Sequence, residues 1–209
     1  DGILIGEFGE IKRRSITFSE IPENIKNAFL AAEDDNFFNH QGISYTGLIR
    51  SFIRCLRPSG CEGGGGTITM QVVRGYLLTR EQTVIRKIKE IFLALELEGN
   101  LEKEEIFELY VNRIFLGNRS YGIEAAANTY FDKNLKELSI SESATIAALA
   151  QLPSRVNPVK DPRRTKLRRN WILSRMLLLG HIDDIQYKEA TSQDLKIANN
   201  INLYDVEAN

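Results

Sequence analysis

Hydrophobic residues recur along this chain mostly three and four positions apart, which is the period of an amphipathic helix. The pattern predicts helices over about 22–34, 45–56, 79–98, 102–115, 120–131, 141–152, 161–179 and 183–190. Residues 1–20 have a shorter alternation and indicate one or two short strands or an extended arm. The chain is therefore predicted to be mainly α-helical.

Two of these helices have apolar faces that call for an interpretation. In the helix over 79–98 we expect a buried stripe of Val84, Ile85, Ile88, Ile91, Phe92 and Leu95. The helix over 45–56 has one apolar face and three arginines largely off it, Arg50, Arg54 and Arg57. Such a helix either packs on a core as a surface helix or lies in a membrane interface.

Composition sets broad limits on what the chain is. With 209 residues it is long enough for a full core, in one domain or two lobes. The formal net charge of −1 gives no indication of nucleic-acid binding. No apolar run is long enough for a transmembrane helix, and no signal peptide is present. Because the first residue is Asp1, we expect a fragment of a longer protein, with any membrane anchor upstream.

The two cysteines, Cys55 and Cys61, are separated by five residues. They either close a small disulfide loop in an oxidising compartment or remain free thiols. A zinc site would need further ligands nearby, and the chain has only His40 and His181.

A candidate general base lies at the end of the first predicted helix. Glu33 falls at the edge of the apolar face, four residues after Phe29 and near the helix C-terminus. Partial burial and the helix dipole both raise a carboxylate pKa toward the range that suits a base. An ordinary solvated Glu33-Asp34 pair at a helix end remains the simpler interpretation of this stretch alone.

Candidate anion-binding groups follow in two places. A run of four glycines, 63–66, precedes a polar set formed by Thr67, Thr69, Gln71 and Arg74. A helix start after such a loop offers free amides to a phosphate, although the Lys-Ser/Thr of a P-loop is lacking and a flexible surface loop is the alternative. Farther along, Arg86 and Lys87 come within one helical turn of Glu90, as an anion site or as ordinary surface ion pairing.

Taken together and in order, five motifs resemble those of the peptidoglycan glycosyltransferases. These are the transglycosylase domains of class A penicillin-binding proteins, above all of the 1A type, and of their monofunctional relatives. The motifs are Glu33-Asp34-x-x-Phe37-x-x-His40-x-Gly42, Gly65-Gly66-Thr67-Ile68-Thr69-Met70-Gln71, Arg86-Lys87-x-x-Glu90, Ile106-x-x-Leu109-Tyr110-x-Asn112 and Arg168-Arg169-x-x-Ile172-Leu173.

The resemblance implies a two-lobed, mainly α fold. A lysozyme-like larger lobe is joined by a small membrane-associated jaw lobe at about residues 43–80. Residues 1–20 would be an arm after a missing anchor, residues 21–195 the glycosyltransferase domain, and residues 196–209 a linker toward a missing transpeptidase domain. No Ser-x-x-Lys penicillin-binding motif occurs in the chain.

The implied reaction is polymerisation of lipid II into β-1,4 glycan strands, with inversion and release of undecaprenyl pyrophosphate. Glu33 matches the catalytic glutamate and would be the general base. Glu90 matches the second essential glutamate and would assist the donor pyrophosphate, directly or through a metal. Lys87 and Arg86 would supply positive charge there.

The remaining motif residues carry lesser implied roles. Gln71, Arg74, Thr67 and Thr69 would line the donor cleft. Asp34, Phe37 and His40 would shape the loop. A scaffold role is implied for Tyr110, Asn112, Arg168 and Arg169, and the two arginines would anchor the fold. No cofactor is required, although a divalent cation (Mg or Mn) at the pyrophosphate is left open.

The implied partners are lipid II, the growing glycan strand and a membrane surface, with no nucleic acid. The enzyme would work on the outer, periplasmic face of the bacterial cytoplasmic membrane, anchored by a helix not in this chain. Moenomycin-like phosphoglycolipids, which mimic the donor, would inhibit it.

Two departures from the family pattern keep other functions in view. Gly66 stands where the family usually has serine, and Gln82 where many members have a basic residue. A silent module that binds lipid II without turnover is one alternative. A lysozyme-like hydrolase is another, but hydrolysis of a neutral glycan needs no pyrophosphate site.

Overall fold

Helices account for most of the computed structural model, which describes residues 15–44, 66–77, 84–151, 153 and 155–198. The eight α-helices within these residues are α1 (Glu23–Glu33), α2 (Ile68–Tyr76), α3 (Val84–Asn100), α4 (Lys103–Arg113), α5 (Ile123–Phe131), α6 (Ile140–Leu149), α7 (Pro162–Leu178) and α8 (Asp184–Ser192). The only β pairing in the described part is one antiparallel bridge between Phe115 and Tyr121. The predicted mainly α class is confirmed.

Local sequence explains where these helices begin. Ser139 caps α6 by accepting a hydrogen bond from the amide of Glu142, whose side chain reaches back to the Ser139 amide. Asp161 caps α7, and Pro162 follows at its first position. Helix α5 begins at Ile123 rather than at the predicted residue 120, because Gly122 has a φ of +85° that a helix does not accommodate.

The core is built around α6, a helix of small residues. Every residue from 143 to 149 is buried, so the last two turns of this helix have no solvent face. It packs against α7 and α1, and the same cluster takes in Ile106 and Phe107 of α4. A helix that is apolar all round belongs in a protein interior. The two helices beside α6 bring the C-terminus of α1 next to α7.

A second, smaller cluster joins α2 to α3. It consists of Met70, Val73 and Ala94, with three partly buried neighbours, Ile91, Leu93 and Leu97. Helix α2 also packs on α4, which links this cluster to the rest of the fold. Helix α2 is therefore held between α3 on one side and the main core on the other.

The predicted buried stripe of α3 is wrong for most of its residues. Ile85, Ile88, Phe92 and Leu95 are 67%, 49%, 68% and 41% exposed, whereas Glu90 and Ala94 are completely buried. The small side chain of Ala94 lets α2 approach closely, and two cations neutralise Glu90 there. Helix α3 therefore turns its larger apolar residues toward the surface.

Several sequence predictions fall on residues that the structure does not describe. These are the arm over 1–14, the amphipathic helix over 45–56, Cys55, Cys61 and Gln82. Of the predicted jaw lobe, only 43–44 and 66–77 are described, so the two-lobed arrangement stays a prediction. Within the described part, residues 18–20 form a 3-10 turn and α8 extends to Ser192. None of the described helices is long and apolar enough to cross a bilayer.

Candidate active site

Glu33 is the last residue of α1, and its side chain is half-buried. Its carboxylate accepts a hydrogen bond of 2.9 Å from Nε2 of Gln71 on α2. Loss of solvent around the carboxyl group raises the pKa of Glu33, and the negative charge of Asp34 raises it further. The bond from Gln71 and the charges of Arg168 and Arg74 oppose this rise in pKa. The result is a carboxyl group with a raised pKa between α2 and α7.

Asp34 holds the loop that follows α1. Its buried carboxylate accepts bonds of 2.9 and 3.0 Å from Nε2 of His40 and one of 3.1 Å from the amide of Ile68. The Ile68 amide belongs to the first turn of α2, where amides lack helical partners. Asp34 therefore fixes the start of α2 against the end of α1, and with it Gln71 against Glu33.

Phe37 and Gly42 shape the same loop through packing. Phe37 is completely buried, with its ring centroid 6.1 Å from that of Phe107. Gly42 has a φ of +75°, and a Cβ there would lie 2.9 Å from the carbonyl oxygen of Ala94 on α3. A residue with a side chain would strain the backbone and push the loop away from α3.

Arg74, Lys87 and Glu90 form a cationic group beyond Gln71, as seen from Glu33. Glu90 of α3 is completely buried, and its Oε1 accepts bonds of 2.6 Å from Nη2 of Arg74 and 3.3 Å from Nζ of Lys87. Both cationic side chains are about one-third exposed, at 36% and 35%. Burial lowers the pKa of Lys87, whereas the charge of Glu90 raises it. Two cations on one buried carboxylate leave a net positive, partly accessible surface.

Gly66 brings the backbone close to this cationic group. A Cβ at Gly66 would lie 3.2 Å from Nη2 of Arg74 and 3.7 Å from Oε1 of Glu90. The serine expected from the family pattern would therefore contact the ion pair directly. Arg86, the other predicted cation, is half-buried one residue before Lys87.

Thr67 and Thr69 are placed differently from the predicted donor cleft lining. Thr67 is 4% exposed, donates a 2.6 Å bond to the carbonyl of Gly42, and accepts one from the amide of Met70. Thr69 is completely buried, and its hydroxyl donates to Glu98. Both hydroxyls are engaged in hydrogen bonds within the protein in this structure.

The residues Tyr110 and Asn112 lie on α4, where Tyr110 packs on α1 and Asn112 contacts the segment before it. Tyr110 is buried edge-on against Phe29, and burial together with the charges of Glu33 and Asp34 raises the pKa of its hydroxyl far above the ordinary value. Asn112 accepts a 2.9 Å bond from the amide of Ile16 and donates one of 2.9 Å to its carbonyl. Asn112 thus fastens the segment before α1 to α4.

The two adjacent arginines of α7 occupy different environments. Arg169 is completely buried and donates to the carbonyls of Gln193 at 2.7 Å and Thr191 at 3.2 Å, which holds the end of α8. Arg168 is half-buried, and its Nη2 lies 3.5 Å from the carbonyl oxygen of Ala32, next to Glu33. Its guanidinium carbon is 4.1 Å from the ring centroid of Trp171.

Sequence reasoning assigned no role to Trp171 or Glu98. Glu98 accepts from Thr69 and, at 2.7 Å, from Lys103, and no sequence pattern indicates these partners. Trp171 follows Arg168 by three residues, a spacing that brings two side chains together on a helix.

Few described side chains around Glu90 could bind a metal ion. No group of three or more His, Cys, Asp or Glu in a metal-binding arrangement occurs among the described residues. Glu90 is the carboxylate of the cationic group, and Arg74 and Lys87 already occupy its Oε1. Arg74 and Lys87 supply positive charge beside Glu90.

Several known proteins are similar to this chain in sequence and fold. The penicillin-binding protein 1A of Pseudomonas aeruginosa is 49% identical over 208 residues, covering 100% of this chain and 25% of the relative. That of Escherichia coli is 42% identical over 193 residues, covering 92% and 23%. A crystal structure of penicillin-binding protein 1A from Haemophilus influenzae matches with a TM-score of 0.56 and 30% identity, covering 93% of this chain and 19% of that one.

The chain thus spans about a quarter of the length of these relatives. A family model described as "Transglycosylase" matches residues 1–177, which is most of the chain and includes every site residue above except Thr191 and Gln193. The chain belongs to the transglycosylase family.

Proposed function

We propose that this chain is a peptidoglycan glycosyltransferase that polymerises lipid II into β-1,4 glycan strands. The observation that carries the proposal is a carboxyl group of raised pKa, Glu33, separated by Gln71 from the cationic group of Arg74, Lys87 and Glu90. Glycosyl transfer from a lipid pyrophosphate needs both a base for the acceptor and positive charge for the leaving group.

Glu33 is the general base in this proposal. Its carboxylate takes the proton from the 4-hydroxyl of the acceptor N-acetylglucosamine as that oxygen attacks C1 of the donor N-acetylmuramic acid. The C1–oxygen bond to undecaprenyl pyrophosphate breaks in the same step, and the configuration inverts. The raised pKa of Glu33 makes its carboxylate a stronger proton acceptor near neutral pH than a solvated glutamate.

Arg74 and Lys87 neutralise the leaving pyrophosphate, and Glu90 holds them in place. The complete burial of Glu90 and its bonds to both cations favour this indirect role over direct contact with the pyrophosphate. A buried carboxylate that orients two cations keeps the positive charge fixed before the substrate arrives, so little reorganisation is needed during the reaction.

The exposed apolar residues of α3 face a membrane in this proposal. Ile85, Ile88, Phe92 and Leu95 follow one another at spacings of three and four, which forms a continuous stripe on the helix. Lys87 and Lys89 lie on the same helix near one end of the stripe. Apolar residues flanked by cations suit the boundary of an anionic bilayer, where lipid II resides.

The relatives support a wider setting for this activity. They are named penicillin-binding protein 1A and are about four times as long as this chain. We therefore place the enzyme at the outer face of the bacterial cytoplasmic membrane, in a longer protein with a transmembrane anchor and a transpeptidase domain. Moenomycin-like phosphoglycolipids would compete with the donor at Arg74 and Lys87.

The first test replaces the base. We expect Glu33→Gln to slow strand growth from lipid II in detergent by about a hundredfold or more, because general bases contribute at least that factor. Glu124→Gln, an identical change at an exposed site, serves as the control. Equal rates for Glu33→Gln and wild type would refute the role of Glu33. Shortening of preformed glycan by the wild type, without strand growth, would establish a hydrolase instead.

The second test uses the pH dependence of strand growth. The base works only when ionised, so kcat/KM falls as the pH drops through the raised pKa of Glu33. The bond from Gln71 favours the ionised form; its loss in Gln71→Met raises the Glu33 pKa and shifts the acid limb to higher pH. The exposed Gln151→Met serves as the control. An acid limb that stays in place or moves to lower pH would contradict this arrangement.

The third test concerns the donor side. We expect Lys87→Met to raise the KM for a donor substrate about tenfold, since one charge-assisted contact with the pyrophosphate is lost. The exposed Lys89→Met removes the same charge two residues away and should leave that KM unchanged. If Lys87→Met and Lys89→Met gave similar donor KM values, Lys87 would act only through the overall charge, and its proposed contact with the pyrophosphate would be refuted.

The fourth test concerns the membrane. The double variant Ile85→Asp/Phe92→Asp should lose binding to vesicles of anionic lipids, measured by co-sedimentation, because it puts charges on the proposed bilayer face. The control is Ile185→Asp on α8, where the side chain is 77% exposed. Vesicle binding that survives the double change would remove α3 from the membrane surface.

A further inference from the structure

Trp171 forms an exposed aromatic surface on α7 with a cation behind it. It is the single tryptophan of the chain, and its side chain is 43% exposed. The guanidinium carbon of Arg168 lies 4.1 Å from its ring centroid. The guanidinium covers one face of the indole, so solvent reaches the ring from elsewhere.

Two contacts and one electrostatic effect place this surface near Glu33. Arg168 approaches the carbonyl of Ala32, the residue before Glu33. Arg175, four residues after Trp171 on the same side of α7, pairs with Asp35. The charge of Arg168 also acts on the Glu33 carboxyl group and lowers its pKa. Trp171 therefore lies between two residues that touch the C-terminal end of α1.

The stereochemistry of the proposed reaction relates the position of Trp171 to the path of the acceptor. In an inverting displacement the attacking oxygen and the leaving group lie on opposite faces of the sugar ring. Arg74 and Lys87 place the leaving pyrophosphate on the side of α2 and α3. The acceptor must then approach Glu33 from a side away from these cations, and Arg168 and Trp171 lie on α7, a different helix that packs on α1.

We propose that Trp171, backed by Arg168, is the platform on which the acceptor saccharide rests while Glu33 takes its proton. This inference rests on the proposed function and adds a specificity residue to it. A hexose has an apolar face of C–H bonds and a polar rim of hydroxyls. An exposed indole offers a flat apolar surface to the first, and the neighbouring guanidinium offers hydrogen-bond donors to the second.

Other exposed apolar residues of the same region lack this setting. Leu167 and Leu178 on α7 are 64% and 73% exposed, which is more than Trp171. Leu178 comes at the end of α7, seven residues beyond Trp171 and away from Arg168. Single exposed apolar residues are common on protein surfaces. Leu178 is therefore the matched control for an exposed side chain on this helix.

The test separates the two substrates. Lipid II blocked at its 4-hydroxyl can only donate, and a disaccharide pyrophosphate analogue with carbon in place of the anomeric oxygen can only accept. For Trp171→Ala we expect the acceptor KM to rise about tenfold, as for the loss of one aromatic contact, with the donor KM and kcat within about twofold of wild type. Trp171→Tyr should restore most of the acceptor affinity, and Leu178→Ala should match wild type.

An unchanged acceptor KM in a folded Trp171→Ala variant, or an equal rise in both KM values, would overturn the proposal. Because the chain has one tryptophan, its fluorescence gives a second test that needs no variant. Adding the acceptor analogue alone should change the Trp171 emission in a saturable way, and an unchanged emission at saturating acceptor overturns the platform. Failure of the wild type to couple the two substrates would instead refute the proposed function, and the emission experiment would still decide whether Trp171 binds the saccharide.

Discussion

The arrangement of this cleft depends on the buried carboxylate of Asp34. A buried carboxylate is costly unless charge-assisted hydrogen bonds compensate for its lost solvation, and here His40 and the amide of Ile68 provide them. These bonds join the loop after α1 to the first turn of α2. Gln71 lies one turn farther along α2, so its contact with Glu33 depends on the position that Asp34 sets. Removing Asp34 would disturb the base without touching it.

Two other carboxylates show how environment divides one chemical group into two roles. Glu33 has no cation within ion-pair distance among its described contacts. Its carboxylate accepts a hydrogen bond from the neutral side-chain amide of Gln71, and its pKa is raised. Glu90 is wholly buried but bonded to Arg74 and Lys87. The first environment favours uptake of a proton, whereas in the second the carboxylate holds two cations in place. Gln71 bonds to Glu33 and Arg74 bonds to Glu90, and these two residues lie about one turn apart on α2.

The sequence predicted the helical class and, within a few residues, most helix ends, because capping residues such as Ser139, Asp161 and Asp183 act locally. For Glu33 the local pattern left two interpretations open and favoured a solvated carboxylate, whereas burial in the fold raises its pKa. The prediction was wrong about the outward face of α3. Periodicity shows that a stripe exists but not which side a neighbour covers, and Ala94 with a neutralised Glu90 decided that orientation.

Long-range contacts were likewise beyond the sequence. Adjacent arginines look equivalent in a motif, yet Arg169 points into the core toward Thr191 while Arg168 lies beside Ala32. That difference arises from the 100° rotation between successive residues of a helix and from what packs on each side. Thr67 and Thr69 look like ligand-binding hydroxyls in sequence, and only the fold shows Gly42 and Glu98 already in contact with them.

The burial of α6 over residues 143–149 restricts which helices around the site can move apart. Its neighbours α1 and α7 form the wall that contains Glu33 and Arg168, and separating them would expose the whole interior of the main cluster. On the other side, α2 is itself anchored in the main cluster through Ile68 and Val72. Within the described residues, α3 joins α2 through a smaller cluster of Met70, Val73 and Ala94, with Ile91, Leu93 and Leu97 beside it. Local opening free energies follow the buried apolar contact that is lost. The wall formed by α1 and α7 is therefore the more rigid one, and any widening of the site for a polymer to pass requires α3 to move rather than α1 or α7.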